Sequence, residues 1–345
     1  MSEKVLVAMS GGVDSSAAAV IMQKAGHIIG GGTMNLCGKV DEAKDAERVC
    51  EQLGVTYHFF EMTKEFNEKV IEPFTQEYMS GLTPNPCIFC NRWLKFGAFL
   101  EKAISLGYDS VATGHYAKIE KNEKTGRYEI KKAKDVEKDQ SYVLYMLTQE
   151  QLSRVYLPLG DYSKAEIRAI CEEKNLVTAK KSDSQDICFV PEGDYATFIE
   201  GYTGIKAQKG AYTDIKGNVL GEHKGVINYT IGQRKGLGIA LGKHAFVISK
   251  DAKTNTVVLG DAEHLFKSTV YVKDVNLVSV EKIEDGMSAL VKLRYKHKES
   301  PARLFTCDGG KIRVEFYEPQ RAPSVGQSAV FYNNDTVIGG GIICE

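Results

Sequence analysis

Lys4-Val5-Leu6-Val7-Ala8-Met9-Ser10-Gly11-Gly12-Val13-Asp14-Ser15-Ser16 decides the reading of this 345-residue chain. Its first six residues are almost wholly apolar, as expected of a strand buried on both faces of a parallel sheet. Ser15 to Lys24 then reads as a helix, so Ser10–Ser16 occupies a strand-to-helix turn. In an open α/β sheet such turns lie at the carboxyl edge, where ligands bind. Paired glycines let backbone N–H groups approach an anion, and the following helix directs its positive end at the same point. The serine hydroxyls add donors, and Asp14 is a candidate magnesium ligand bridging phosphates. No lysine follows the glycines and no G-x-G-x-x-G is present, which excludes a P-loop ATPase and a dinucleotide fold. A plain glycine turn with a capping serine is the alternative. The complete SGGVDSS string between strand and helix argues against it.

Outward from this turn the α/β pattern continues. His27–Met34 reads as a second strand, with Ile29-Gly30-Gly31-Gly32 an unusually flexible run inside it. Asp41–Leu53 places Ala43, Ala46, Val49, Cys50 and Leu53 at helical spacing. Phe96–Leu106 reads as a helix leading into a strand at Asp109–Thr113. Ser163 to Glu166 is a capping box opening a helix that presents Ile167, Ile170 and Cys171. Strand–helix alternation predicts a parallel sheet covered on both faces. Helices fade after about residue 200. Residues 205–260 are glycine-rich with short strands, and six strands follow from about residue 268, at the spacing of a small barrel. The expected architecture is an α/β parallel-sheet domain (1–200), a small β-rich central domain (201–262) and a C-terminal β-barrel (263–345).

Composition narrows the class. Apolar residues make up 43% and charged ones 26%, which excludes a disordered or collagen-like chain. Forty-four Lys and Arg against forty-five Asp and Glu leave a net charge of −1, so any nucleic-acid footprint is local. Two stretches supply one. His223–Lys250 contains five Lys or Arg and no acid, interleaved with Gly232, Gly236, Gly238 and Gly242. Lys292, Arg294, Lys296 and Lys298 alternate with Leu293, Tyr295 and His297; on a strand all four charges share one face, suited to phosphates. No apolar run approaches the roughly 18 residues of a membrane span, and the amino terminus enters an apolar strand directly, so neither a span nor a targeting segment is expected. Eight cysteines are too few for a disulfide scaffold, and a reducing, cytoplasmic setting is expected.

Cys37, Cys50, Cys171, Cys307 and Cys344 read as a loop thiol and small buried hydrophobes. Cys87 and Cys90 are three apart after paired prolines, at an expected helix start, a position that lowers a thiol pKa. Cys188 lies among polar residues rather than on an apolar stripe. A CxxC alone fits redox work, metal binding or nothing. With a phosphate loop and one distant cysteine, it suggests sulfur carried as a persulfide, or a metal cluster.

Ser10–Ser16 resembles the PP-loop of the ATP pyrophosphatase superfamily, whose members split ATP into AMP and pyrophosphate to adenylate a substrate oxygen. TPNPCIFCN (83–91), ATGHYA (112–117), KDQSYVLY (138–145), SDSQDICF (182–189) and NYTIGQRKGLGIA (228–240) extend the likeness. With them the chain resembles the bacterial tRNA-specific 2-thiouridylases almost end to end. Some of those enzymes carry Asp where this chain has Cys87, and the segment after the second strand is shorter here.

The resemblance implies a PP-loop (adenine nucleotide α-hydrolase-like) catalytic domain, a central tRNA-binding domain and the barrel. It implies ATP-dependent transfer of persulfide sulfur to C2 of the wobble uridine through an adenylated uridine. A different PP-loop RNA-modifying enzyme, or a paralogue with another tRNA target, is the alternative. Ala8, Met9, Ser10, Gly11, Gly12, Val13, Asp14, Ser15, Met34 and Gly114 match the ATP-binding positions, with Mg2+ on Asp14. Cys90 matches the nucleophile and Cys188 the persulfide carrier, the pair forming a disulfide after transfer. Asn85, Pro86 and Cys87 match the segment at the target base. His115, Lys138, Asp139, Gln140, Arg294, Tyr295 and Gln327 match tRNA contacts. The implied partners are tRNA and a sulfur-donor protein such as a cysteine desulfurase or a relay carrier. A second arrangement gives Cys87, Cys90 and Cys188 to an iron–sulfur cluster; the reading leans to the relay.

Overall fold

The computed structural model describes residues 2–38, 40–181, 187–190, 194–242 and 244–344. Strand β1 (Lys4–Ala8) enters helix α1 (Val13–Lys24), followed by β2 (Ile28–Asn35), α2 (Val40–Leu53) and β3 (Thr56–Glu61). A helical run then takes α3 (Thr63–Phe66) through a π-helical turn at Asn67–Ile71 into α4 (Glu72–Met79). A second run joins α5 (Pro86–Phe89), π-helical Cys90–Ala98 and α6 (Phe99–Ser105), so this helix begins ten residues before the expected Phe96. β4 (Ser110–Ala112), the hairpin β5 (Ala117–Lys121) and β6 (Tyr128–Lys132), α7 (Gln149–Leu152), β7 (Val155–Tyr156) and α8 (Lys164–Glu173) complete the first region.

Its sheet is parallel, in the order β3-β2-β1-β4-β7. Strand order reverses beside β1, which puts the Ser10–Ser16 turn at the topological switch point. The glycine run is not flexible, contrary to its sequence reading. Gly30, Gly31 and Gly32 pair with Leu6, Val7 and Ala8 on one side and with Thr56, Tyr57 and His58 on the other. A Cβ on Gly30 would collide with the Tyr108 hydroxyl, and one on Gly31 with Cys50 Sγ. These glycines give neighbouring side chains room to close on the sheet.

After α9 (Tyr195–Thr203), strands β8 (Gly210–Thr213), β9 (Val219–His223), β10 (Phe246–Asp251) and β11 (Thr256–Gly260) form a second sheet, ordered β10-β11-β8-β9. The last six strands are β12 (Phe266–Leu277), β13 (Met287–Lys292), β14 (Ser300–Cys307), β15 (Lys311–Arg321), β16 (Ser328–Asn333) and β17 (Thr336–Ile343). Their order β12-β15-β14-β13-β16-β17, with β12 also paired to β17, closes a six-stranded barrel. The barrel interior is apolar, with Val270, Val291, Leu304, Val314 and Phe331 fully or almost fully buried.

The first region and the barrel share a seam. β17 also pairs with β6, at Thr336 and Lys131. Tyr142, Val143, Leu144 and Tyr145 share one apolar core with barrel residues Val330, Tyr332 and Val337. The Tyr142 hydroxyl donates to the Ser328 carbonyl at 2.9 Å, satisfying the polar end of a buried ring. The alternating charges of 292–298 do not form a strand face: β13 ends at Lys292 and the chain turns. Among the described residues no helix is long and apolar enough to cross a membrane.

Candidate active site

At the carboxyl end of β1, Ala8 and Met9 are buried, and the Met9 N–H bonds the Gly32 carbonyl at 2.8 Å. Gly11 takes a left-handed φ of +68°, which a glycine adopts without strain. Gly12 caps α1 with no side-chain acceptor, so the helix N-terminus keeps donors for a ligand. Hydroxyls set the turn. Ser15 and Ser16 both donate to the Gly12 carbonyl, at 3.1 and 2.8 Å, and the Ser10 N–H donates to Ser15 Oγ at 3.2 Å. The carboxylate of Asp14, first-turn acid of α1, accepts the Tyr116 hydroxyl at 2.8 Å and the Lys164 ammonium at 2.7 Å, both on Oδ1. A Cβ on Gly114 would fall 2.8 Å from the Asp14 carbonyl carbon, so only glycine lets this turn lie on the loop. Met34, half-buried at the end of β2, packs between two apolar cores beside the same edge.

The residue after Gly114 belongs to a second centre. His115 is 8% exposed; its Nε2 lies 3.5 Å from Lys95 Nζ and its Nδ1 2.7 Å from Thr113 Oγ1. An ammonium only donates, so Nε2 accepts and Nδ1 carries the proton. Burial first, and then the Lys95 charge, hold His115 well below the usual histidine pKa, so it is neutral. Lys95 lies five residues after Cys90 in the π-helical stretch, whose i to i+5 ladder places the two one turn apart.

Asn85 caps α5 by accepting the Cys87 N–H at 3.2 Å, with Pro86 in the first turn, so both cysteines sit at a helix start as expected. Their expected low pKa is not found. Cys90 is buried among Met62, Phe66, Val70, Ile71 and Leu94, and burial pushes its thiol up to about 12 against the opposing pull of Lys95. Cys87 opens to solvent, yet protein crowds it closely enough that desolvation raises its pKa too. Desolvation overrides the helix end. Cys188 is exposed and close enough to act electrostatically on both. Its neighbour Phe189 anchors it, with ring centroids 5.5 Å from Phe66, 5.4 Å from Phe74 and 5.1 Å from Phe198. Residues 182–186 of the Cys188 string lie outside the described residues. No disulfide forms among the described residues.

The Thr113–His115 turn thus lies on the phosphate loop through Gly114 and reaches, through His115, the Lys95 ammonium that acts on Cys87 and Cys90. Three family models match the chain: the tRNA methyl transferase HUP domain at residues 3–192, its PRC-barrel domain at 196–261 and the aminomethyltransferase β-barrel domain at 267–343. The chain is 46% identical over 355 residues to the tRNA-specific 2-thiouridylase MnmA of Clostridioides difficile (strain 630), covering 99% of this chain and 98% of that protein. It is 47% identical over 357 residues to the protein of that name from Caldicellulosiruptor saccharolyticus, covering 99% of each. The chain belongs to the MnmA family.

The positions that the resemblance assigns to tRNA contact take two kinds of place here. Asp139 is 7% exposed and accepts the Ala133 N–H at 3.0 Å and the Ser141 hydroxyl at 2.8 Å, which makes it a bracket of the seam. Gln140 accepts the Tyr116 N–H at 2.9 Å, while Lys138 lies half-buried in the preceding turn. Gln327 donates to the Thr83 carbonyl at 2.7 Å and so ties the barrel to the Asn85-Pro86-Cys87 loop. Arg294 turns inward, donating to the Ala322 carbonyl and Ser324 Oγ, both at 2.7 Å, and to the Ile231 carbonyl at 3.3 Å. Tyr295 is near enough to Cys87 to feel its charge. Lys296 and Lys298 are exposed. In the other basic stretch Lys250 also points inward, to the Tyr229 carbonyl at 2.9 Å. Lys95, Tyr116, Lys164 and Lys181 escape sequence reasoning because no local spacing links them to the loop or the cysteines.

Proposed function

We propose that the protein is a tRNA-uridine 2-sulfurtransferase that uses ATP to thiolate the wobble uridine. The observation that carries this is a PP-loop linked through Gly114, His115 and Lys95 to the region of Cys87 and Cys90, with Cys188 near enough to act on both, in a chain similar over its whole length to enzymes named for this activity. The uridine O2 attacks the α-phosphorus of ATP, the α–β bridge bond breaks, and pyrophosphate leaves from the α1 N-terminus. Asp14, beside the serine hydroxyls, would hold a magnesium ion, and that ion would neutralise phosphate charge. The outer sulfur of a Cys188 persulfide then attacks C2 and expels AMP. The Cys90 thiolate attacks the inner sulfur, releasing 2-thiouridine and leaving a Cys90–Cys188 disulfide for an external thiol to reduce. The uridine must leave its stack to reach this recess.

Burial keeps Cys90 protonated until the base arrives, which protects it from stray oxidation. Among the described residues no three His, Cys, Asp or Glu group as ligands of one metal, which favours the relay over an iron–sulfur cluster. A sulfur-donor protein of the cysteine-desulfurase or relay type would load the exposed Cys188 in the cytoplasm. We assign residues 1–200 to catalysis, 201–262 to tRNA binding and 263–345 to bracing the Cys87 loop. Nucleoside mass spectrometry of tRNA from cells lacking the gene tests the proposal. Loss of 2-thiouridine, restored by the wild type and by neither Cys90→Ala nor Cys188→Ala, is expected; undiminished 2-thiouridine would overturn it. Stoichiometric iron after anaerobic purification, with an inactive Cys87→Ala, would replace the relay by the cluster.

A further inference from the structure

The PP-loop carries no lysine, and its first-turn side chain, Asp14, is an anion facing the place where a polyphosphate must bind. The charge is supplied from far along the chain. Residues 164–181 clasp the loop at four points. Lys164 Nζ donates to Asp14 Oδ1 at 2.7 Å, Cys171 Sγ to the Val13 carbonyl at 3.5 Å, Thr178 Oγ1 to Ser16 Oγ at 2.9 Å, and Lys181 Nζ to the Gly11 carbonyl at 2.9 Å. Lys164 stands at the first position of α8, where the Ser163–Glu166 capping box fixes the helix start and its own N–H bonds Asp135 at 3.0 Å. Its side chain is only 14% exposed, so this ammonium is committed to the loop rather than to water. Lys181 differs: it bonds a backbone carbonyl and pairs with Asp45, which makes it a brace of the loop.

We propose that Lys164 is the phosphate-binding lysine of this site, held on Asp14 without nucleotide and passed to a phosphate oxygen when ATP and magnesium bind. The exchange conserves charge pairing: the cation that takes the Asp14 carboxylate releases the ammonium next to the incoming anion. Charge-assisted bonds to phosphate are among the strong ones, and a lysine meets the phosphate as a point charge. The proposal rests on reading the loop as an ATP site.

Isothermal titration of the full chain with α,β-methylene-ATP and magnesium, in wild type, Asp14→Asn, Lys164→Met and the double variant, separates the alternatives. A phosphate contact predicts that the double variant binds about tenfold or more weakly than Asp14→Asn alone. It predicts that Lys164→Arg recovers part of the loss and that adenosine binds wild type and Lys164→Met alike. Equal affinity of the double variant and Asp14→Asn would show that Lys164 only neutralises Asp14, and would overturn the proposal. A parallel fall in adenosine binding would overturn it too, by making Lys164 a prop of the loop. Wild type that binds no nucleotide would instead sink the ATP reading itself.

Discussion

The two ends of the proposed active site are built on opposite principles. At the nucleotide end, the serines and backbone set the turn, and the Asp14 charge is paired with Lys164. At the sulfur end, the reactive groups are held back. Cys90 is buried and protonated, His115 is neutral, and Cys188 stands exposed beside them on a segment pinned by Phe189. A loop whose turn is preset and whose charges are paired in advance binds an anion by exchanging ion pairs, whereas an ionised thiol left open would react with any oxidant. Under the proposed function the difference amounts to a safeguard in which chemistry at sulfur awaits the base.

The largest effect that could break this contrast is in thiol reactivity. Below its pKa a thiol gains about tenfold in thiolate per pH unit, and an unperturbed cysteine levels off near about 8.5. With its pKa raised to about 12, Cys90 should alkylate about a hundredfold faster at pH 9 than at pH 7 and still be accelerating at pH 10. Site-resolved mass spectrometry after iodoacetamide pulses reads this directly. A plateau below pH 9 would mean that Lys95 outweighs burial and that the sulfur end is as ready as the nucleotide end.

The same contrast explains which parts of the site are legible in the sequence. The PP-loop is local: strand, turn and helix follow one another within residues 4–24, so residue order displays the geometry. The six barrel strands are equally visible in their alternation. The sulfur end depends on remote packing. Nothing near Cys90 in sequence says that Met62, Phe66 and Val70 enclose it, so the helix-start argument points its pKa in the wrong direction. Likewise the glycine run in β2 defies strand propensity because Tyr108, Cys50 and Phe99 need the space. Lys164 lies 150 residues from its partner.

Arg294 and its neighbours sharpen the comparison between bracing and binding. The charge alternation of 292–298 suggests one phosphate-facing stripe, but three internal acceptors capture the Arg294 guanidinium. Arg294→Met should therefore destabilise the fold by about 2–4 kcal/mol, because buried acceptors lose charged donors. Lys296→Ser with Lys298→Ser should leave stability within about 0.5 kcal/mol and lower the salt slope of tRNA binding by about 0.7–0.9 for each phosphate no longer neutralised. Urea melts and salt-dependent binding measure the two separately. An unchanged slope would remove these lysines from the RNA face; an unchanged melt of Arg294→Met would remove Arg294 from the brace.

The smallest expected effect lies where the central sheet supports the cysteine loop. Lys250 Nζ reaches the Tyr229 carbonyl at 2.9 Å and the Leu82 carbonyl at 3.4 Å, just ahead of Thr83-Pro84-Asn85, and lies 5.1 Å from the Tyr78 ring centre. Burial lowers its pKa to about 8, so the folded protein gives up this proton before the unfolded chain does at about 10.4. Between those values the unfolded state binds more protons, and stability attributable to Lys250 rises with pH; below about 8 its ammonium is a constant cost. The two carbonyls and the Tyr78 face favour the charged form and offset part of the desolvation, which leaves an effect of about 1 kcal/mol rather than the full shift at about 1.4 kcal/mol per unit. Other lysines and tyrosines titrate in the same range, so the informative quantity is a difference. Wild-type stability minus that of Lys250→Met, from urea melts, should grow by about 1 kcal/mol from pH 7 to 9.5. A flat difference would mean that the carbonyls and the Tyr78 face hold the Lys250 ammonium at its ordinary pKa, and that burial costs this brace nothing.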